Sequence, residues 1–186
     1  QELEVETHGV AQPHEGIHVL REAGTAVAHA GAQEARSDAR IEAHALGDLL
    51  DVGAGGGLPG AVIAICCPEA QVDCVDTVGK KAAFIQQVAG ALALPNLRGI
   101  HARVEALTGP YDVIASRAFA SLGDFTAWSR QALGQRGVWM AMKGKHPDDE
   151  LAALPADVEV FHVEQLEVPG LDAERCLLWL RPKEYV

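Results

Sequence analysis

Leu49-Leu50-Asp51-Val52-Gly53-Ala54-Gly55-Gly56-Gly57-Leu58-Pro59-Gly60, running on into Ala61-Val62-Ile63-Ala64-Ile65-Cys66-Cys67, decides the fold of this chain. An apolar run ends on an acid, a glycine cluster follows, and a second apolar run opens at a proline. That order reads as strand, tight loop and helix. Glycines let the loop turn with positive φ and leave no Cβ between the backbone N–H groups and a ligand. Pro59 suits the first helical turn, where a missing N–H costs nothing. This is the nucleotide-holding corner of an α/β sheet.

Two ligand classes use such a corner. Gly55, Gly57 and Gly60 satisfy G-x-G-x-x-G, and Asp76 lies downstream at the end of the next strand-like run, which is the pattern of a dinucleotide site. Asp51 separates the alternatives. A carboxylate at the strand tip opposes the pyrophosphate anion and favours a cationic ligand such as S-adenosylmethionine, with its ammonium and sulfonium. The stretch is therefore read as a methyl-donor loop, with Asp51, Gly53 and Gly55 at the ligand and Asp76 placed to accept hydrogen bonds from ribose hydroxyls. Asp76 is equally suited to cap the helix that follows.

The bulk properties limit the rest. With 186 residues and 48% apolar composition, one domain with a substantial core is expected. A net charge of −11 argues against a polybasic nucleic-acid or membrane binder. The only long apolar region is interrupted by Asp51, the glycines and Pro59, so no transmembrane span is expected, and no signal-peptide pattern opens the chain. Cys66, Cys67, Cys74 and Cys176 show no C-x-x-C spacing and read as small buried hydrophobes in a reducing cytoplasm. Residues 1–47 form a separate, alanine-rich and acidic stretch, read as a helical extension ahead of a Rossmann-like domain over 48–186. Within it, His14-Glu15-Gly16-Ile17-His18 matches H-E-x-x-H. Pro13 and Gly16 weaken the helix a zinc site needs, and no third ligand stands at a familiar spacing, so no metal is expected.

From Leu49 onward strands and helices alternate, which implies a largely parallel, doubly wound sheet. Gln71–Asp76 reads as the second strand and Gly79–Val88 as an amphipathic helix with Phe84, Ile85 and Val88 toward the sheet. Arg98–Val104 reads as the third strand, with Val104 and Glu105 where a cofactor adenine lies in such sheets. Tyr111–Ala120 gives a fourth strand and its exit loop, where Arg117 can hold a carboxylate or an RNA phosphate. A helix through Trp128 and Leu133, a strand Gly137–Met142 and the basic cluster Lys143-Gly144-Lys145-His146 follow. Pro147-Asp148-Asp149-Glu150 opens a further helix. Val158–Val168 and Arg175–Leu180 close the chain as a hairpin across Pro169-Gly170-Leu171-Asp172. No Asn/Asp-Pro-Pro-aromatic turn of an exocyclic-amine methyltransferase follows the fourth strand, and no thiol nucleophile stands near the donor loop.

Several of these segments together resemble the RsmG (GidB) family of small-subunit ribosomal RNA methyltransferases. They are D-V-G-A-G-G-G-L-P-G from Asp51, Arg103-Val104-Glu105, S-R-A-F-A-S-L from Ser116, Met142-Lys143-Gly144-Lys145 and V-P-G-L-D-A-E-R from Val168. The resemblance covers about residues 48–182. It implies a class I methyltransferase sheet of seven strands with the last antiparallel, S-adenosylmethionine as donor, and methylation of a guanine N7 in 16S rRNA. It also implies Gly53 and Leu58 as loop contacts to the donor, Val104 and Glu105 as adenine contacts, and Arg117 as the cofactor or substrate arginine. The family's Asn-Leu-Thr stretch and Arg-His…Asp-Ser helix are not found ahead of the first strand, which leads to the expectation of a missing segment there.

Guanine N7 carries a lone pair and no proton, so methylation needs no general base, and no catalytic acid or base is expected; positioning, with Arg117 as candidate, carries the reaction. RNA contacts are expected from Arg117, Lys143, Lys145 and Lys80, with a ribosomal particle rather than naked RNA as substrate. The enzyme is read as cytoplasmic, with the oligomeric state left open and a monomer favoured. Two other readings stay open: a NAD-dependent oxidoreductase, disfavoured by Asp51, and a non-catalytic nucleotide-sensing module that binds donor and transfers nothing.

Overall fold

The computed structural model describes residues 47–183. Seven strands make one sheet: β1 (Asp48–Val52), β2 (Gln71–Asp76), β3 (Leu97–His101), β4 (Tyr111–Arg117), β5 (Leu133–Lys143), β6 (Val158–Gln165) and β7 (Cys176–Pro182). The order is β3-β2-β1-β4-β5-β7-β6. All neighbours are parallel except β7, which runs antiparallel to β5 and β6. The inner strands read as unbroken apolar runs because helices cover both faces. Helices α1 (Gly60–Cys66) and α2 (Gly79–Ala91) lie over Leu49, Val72, Cys74 and Leu97. Helices α3 (Leu122–Ser129) and α4 (Asp148–Ala152) lie on the opposite face with Leu50, Ile114, Trp139 and Leu178. The helical extension and the His14–His18 motif expected in residues 1–47 lie outside the described residues, apart from Gly47.

Four expectations are corrected. Strand β3 stops at His101, and Val104 instead belongs to a 3-10 turn, Val104–Ala106, that turns it into the core. In α2 the buried face is Ala82, Ile85 and Ala89, while Phe84 is half exposed. The helix packs close to β3, where a Cβ on Gly99 would stand 2.3 Å from the Ala82 carbonyl oxygen, and with Ile85 seated inward its neighbour Phe84 falls to the side of the packed face. Helix α3 ends at Ser129, whose Oγ donates to the Phe125 carbonyl and accepts the Trp139 indole N–H. Leu133 therefore starts β5 rather than closing the helix. Cys66 is exposed and Cys67 half-buried, so only Cys74 and Cys176 fill the buried role expected of all four.

The hairpin forms as expected but with a shorter ladder. Its last pair is Gln165 with Cys176. In the connection, Leu171 N–H donates to the Val168 carbonyl and Gly170 has φ +77°, the turn that a Pro-Gly pair favours. The chain order reverses between β1 and β4, so the carboxyl ends of those strands splay apart and leave a crevice.

Candidate functional site

At that crevice the ends of β1, β2 and β4 and the turn after β3 enclose a cleft with about 300 Å³ of free space. Val52 and Gly53 form its base. Asp76, Val78 and Lys81 line it from the end of β2 and the start of α2, Phe119 and Trp128 from the segment after β4, and Arg103, Val104 and Glu105 from the turn after β3.

Gly53 has φ +68°, and a Cβ there would lie 2.4 Å from the Phe119 ring. Any other residue would strain the turn and push Phe119 off the loop. Asp76 is 6% exposed. Its Oδ2 accepts from Gly55 N–H at 3.1 Å and its Oδ1 from Val78 N–H at 2.8 Å, with Lys81 Nζ 3.5 Å from Oδ2. Asp76 thereby ties the glycine loop to the turn before α2. It does not cap that helix; Val78 holds the cap position. Glu105 is paired with Arg103 at 2.6 Å, and the guanidinium holds its carboxyl below the usual range. Val104 is buried and Trp128 is 41% exposed.

Asp51 stands elsewhere than expected. Strand alternation turns its side chain toward α1, away from the cleft lining. It is fully buried: Oδ2 accepts from Gly60 N–H at 2.8 Å, and Oδ1 has no partner among the described residues. A Cβ on Gly60 would lie 2.3 Å from Cys74 Sγ and 3.0 Å from Asp51 Oδ2, so the close approach requires glycine. Burial pushes the Asp51 carboxyl up to about 6, against the Gly60 hydrogen bond, the Arg117 charge and the Cys74 thiol, which all pull it down. The strand-tip carboxylate is a buried brace under the loop and not an open face to a ligand.

Leu58 and Arg117 also lie outside the cleft lining. Arg117 is exposed, and its Nε donates to the Leu58 carbonyl at 3.3 Å, bridging the end of β4 to the glycine loop. Lys143 is turned inward: its Nζ donates to the Ala120 carbonyl at 2.9 Å and to both oxygens of Glu150 at 3.0 and 2.8 Å. Its donors are spent within the fold, so the expected RNA contact is corrected. Lys145 is exposed. The cleft thus gathers Gly53, Asp76, Val104 and Glu105, with Gly55 bonded beneath. Sequence reasoning missed Phe119, Trp128, Lys81 and Arg103; the aromatic in S-R-A-F, placed directly after the fourth strand, was the available signal. No group of three or more metal-ligating side chains occurs among the described residues, and no helix there is long and apolar enough to cross a membrane.

Comparison with known proteins bears on this arrangement. "Ribosomal RNA small subunit methyltransferase G" of Acidovorax sp. (strain JS42) is 78% identical over 134 residues, covering 72% of this chain and 59% of that protein. The protein of the same name from Polaromonas naphthalenivorans (strain CJ2) is 73% identical over 134 residues, covering 72% and 61%. The chain therefore spans about six-tenths of the length of these relatives. Among solved structures, TrmN from Thermus thermophilus superposes with a TM-score of 0.64 at 17% identity, covering 86% of this chain and 48% of that one. At that identity the likeness shows the fold alone, the class I S-adenosylmethionine-dependent methyltransferase fold. The GidB family model, described as rRNA small subunit methyltransferase G, matches residues 38–178, well over half of the sequence, and the chain belongs to that family.

Proposed function

We propose that this chain binds S-adenosylmethionine in the cleft and transfers its methyl group to N7 of a guanine in 16S rRNA of the small ribosomal subunit. The observation that carries the reading is Asp76, a carboxylate at the tip of β2, facing a cleft whose base is the bare backbone of Gly53. A carboxylate has about four acceptor positions, and backbone N–H groups occupy two of Asp76's. The remaining positions suit a pair of ribose hydroxyls. Val104 offers an apolar surface for an adenine, and Glu105 an acceptor at its edge. Free space of about 300 Å³ is of the order that small-molecule sites provide.

When bound, the donor supplies an electrophilic methyl group on sulfonium. The protein's own residues bind, orient and exclude water. Phe119 and Trp128 present an aromatic wall to the cleft, and the buried Asp51 sets a negative potential beneath the loop. Guanine N7 has a free lone pair, so no residue here is asked to remove a proton, and the carboxylates of the lining, Asp76 and Glu105, are left to hold the donor. Arg117, at the junction of β4 and the glycine loop, is placed to hold a carboxylate or an RNA phosphate. Such a substrate puts the protein in the cytoplasm.

The test is calorimetry with S-adenosylmethionine and with NAD, followed by transfer of tritiated methyl to small subunits lacking the modification. Donor binding with label recovered as 7-methylguanine in 16S rRNA is expected. Preference for NAD would overturn the donor assignment, and donor binding without transfer would overturn the catalytic one.

A further inference from the structure

We infer that Lys143 and Glu150 are positioning residues that hold the β4–α3 loop, and with it Phe119, closed against the glycine turn. The inference rests on the proposed reading of the cleft as a donor site. Ala118 sits at φ +51°, a left-handed conformation that a residue with a Cβ adopts only under external restraint. Three restraints surround it. Phe119 lies on Gly53 and meets Phe125 and Trp128 edge-on, at centroid distances of 6.4 and 5.9 Å. The Ala120 carbonyl accepts from Lys143 Nζ at 2.9 Å. The Leu122 N–H, one of the free amides opening α3, donates to Glu150 Oε2 at 2.6 Å.

Glu150 also receives Lys143 through both oxygens. One ion pair thus clamps the loop from two sides, linking the end of β5 and the short α4 to the segment that carries Phe119. The side chains are 16% and 32% exposed, so water competes with the clamp only partly. Without it, a loop with a disfavoured φ is left with Phe119 and the Ser121 cap of α3. Phe119 leaves the cleft wall part of the time, and donor affinity falls by the fraction of molecules in the closed arrangement.

The experiment compares parent, Lys143→Met, Glu150→Gln and Lys143→Arg. Donor Kd is measured by calorimetry, acrylamide quenching reports tryptophan fluorescence, urea titration reports unfolding, and the salt dependence of RNA binding is recorded. Trp128 is the half-exposed tryptophan beside Phe119, whereas Trp139 and Trp179 are buried, so added quenching reports the loop without any ligand. Lys143→Met and Glu150→Gln are expected to raise donor Kd about tenfold and to increase quenching while unfolding stays cooperative. Lys143→Arg is expected to recover most of both, and the salt slope for RNA to stay that of the parent. Unchanged donor Kd and quenching in Lys143→Met would overturn the inference, as would a lowered RNA salt slope with unaltered donor affinity. If the parent itself bound no donor, the donor-site reading would fail, and unchanged quenching would still separately refute the clamp. Should Lys143→Met not fold, the Glu150→Gln comparison decides.

Discussion

Asp51 is the residue at which folding and the proposed donor binding make opposing demands. A carboxylate with one buried oxygen unpartnered is costly to ionise, which is why its pKa is pushed up to about 6 from an ordinary 3.8. A folded-state value above the unfolded one means that the fold prefers the neutral acid. The resulting stabilisation is complete below about pH 3.8 and disappears as the pH rises through about 6, leaving at neutral pH a buried charge that costs about 3 kcal/mol relative to acid. Asp51→Asn keeps an acceptor for Gly60 N–H and removes the charge. Its unburied-charge advantage is expected to grow by about 3 kcal/mol between pH 3.5 and pH 8, measured by urea unfolding of variant and parent, whatever constant offset the amide adds. Parallel pH curves for the two proteins would show that Asp51 does not titrate in this window. If the charge is kept for a cationic donor, the same variant loses donor affinity at pH 8 while gaining relative stability there, and the parent's own affinity falls as the pH drops below 6.

Among the elements, the loop between α1 and β2 and the entry to β3 are knotted by one side chain. Asn96 is 5% exposed, and its Nδ2 donates to the carbonyls of Ala64 and Ala70 at 3.0 Å and of Cys67 at 3.3 Å. Ala64 offers one of the last carbonyls of α1, while the Cys67 carbonyl also accepts from Ala70 N–H at 3.0 Å. Asn96→Ala takes the side-chain donor from the Ala64 and Ala70 carbonyls, while Cys67 keeps its bond from Ala70 N–H, and is expected to cost about 2–4 kcal/mol in urea unfolding. Donor Kd at low temperature should change less than about twofold, because the knot lies at the end of the strands opposite the cleft and adds no constraint to ligand contacts. Nothing in the sequence announced this role, since a lone asparagine before a strand reads as a turn. What could be read was local: the alternation of apolar runs placed β1, β2 and β4, the glycine cluster placed the loop, and Pro169-Gly170 placed the hairpin turn. What could not be read depended on orientation. Phe84 and Ile85 are neighbours of similar apolarity, and the way α2 seats Ala82, Ile85 and Ala89 on the sheet leaves Phe84 on the outer side. Lys143 and Lys145 look alike as members of a basic cluster, yet the carboxylate of Glu150 draws one inward and leaves the other exposed.

Taken as a whole, the molecule carries 15 basic and 26 acidic residues, a net charge of −11, and at long range repels the polyanion proposed as its substrate. Two opposing salt effects follow. Screening relieves the general repulsion as salt rises, while each local phosphate contact releases a counterion and so weakens binding with salt. The absolute slope mixes the two, but the difference between parent and a single-site variant isolates the contact. With Lys143 engaged by Glu150, the exposed cations left from the sequence reading are Arg117, Lys145 and, at the start of α2, Lys80, of which the first ends β4 and the second follows β5. For a single-stranded 16S rRNA fragment, Arg117→Gln and Lys145→Gln are each expected to make the log–log salt slope shallower by about 0.7, and the double variant by about 1.4. The measurement is fluorescence anisotropy of the labelled fragment between 50 and about 200 mM salt, the range over which such contacts change affinity most visibly. A slope for Arg117→Gln equal to the parent's, with transfer lost, would move Arg117 from the RNA to the donor. Since the side chain lies outside the cleft lining, its hydrogen bond to the Leu58 carbonyl, against the glycine loop, is the contact through which it would act on the donor.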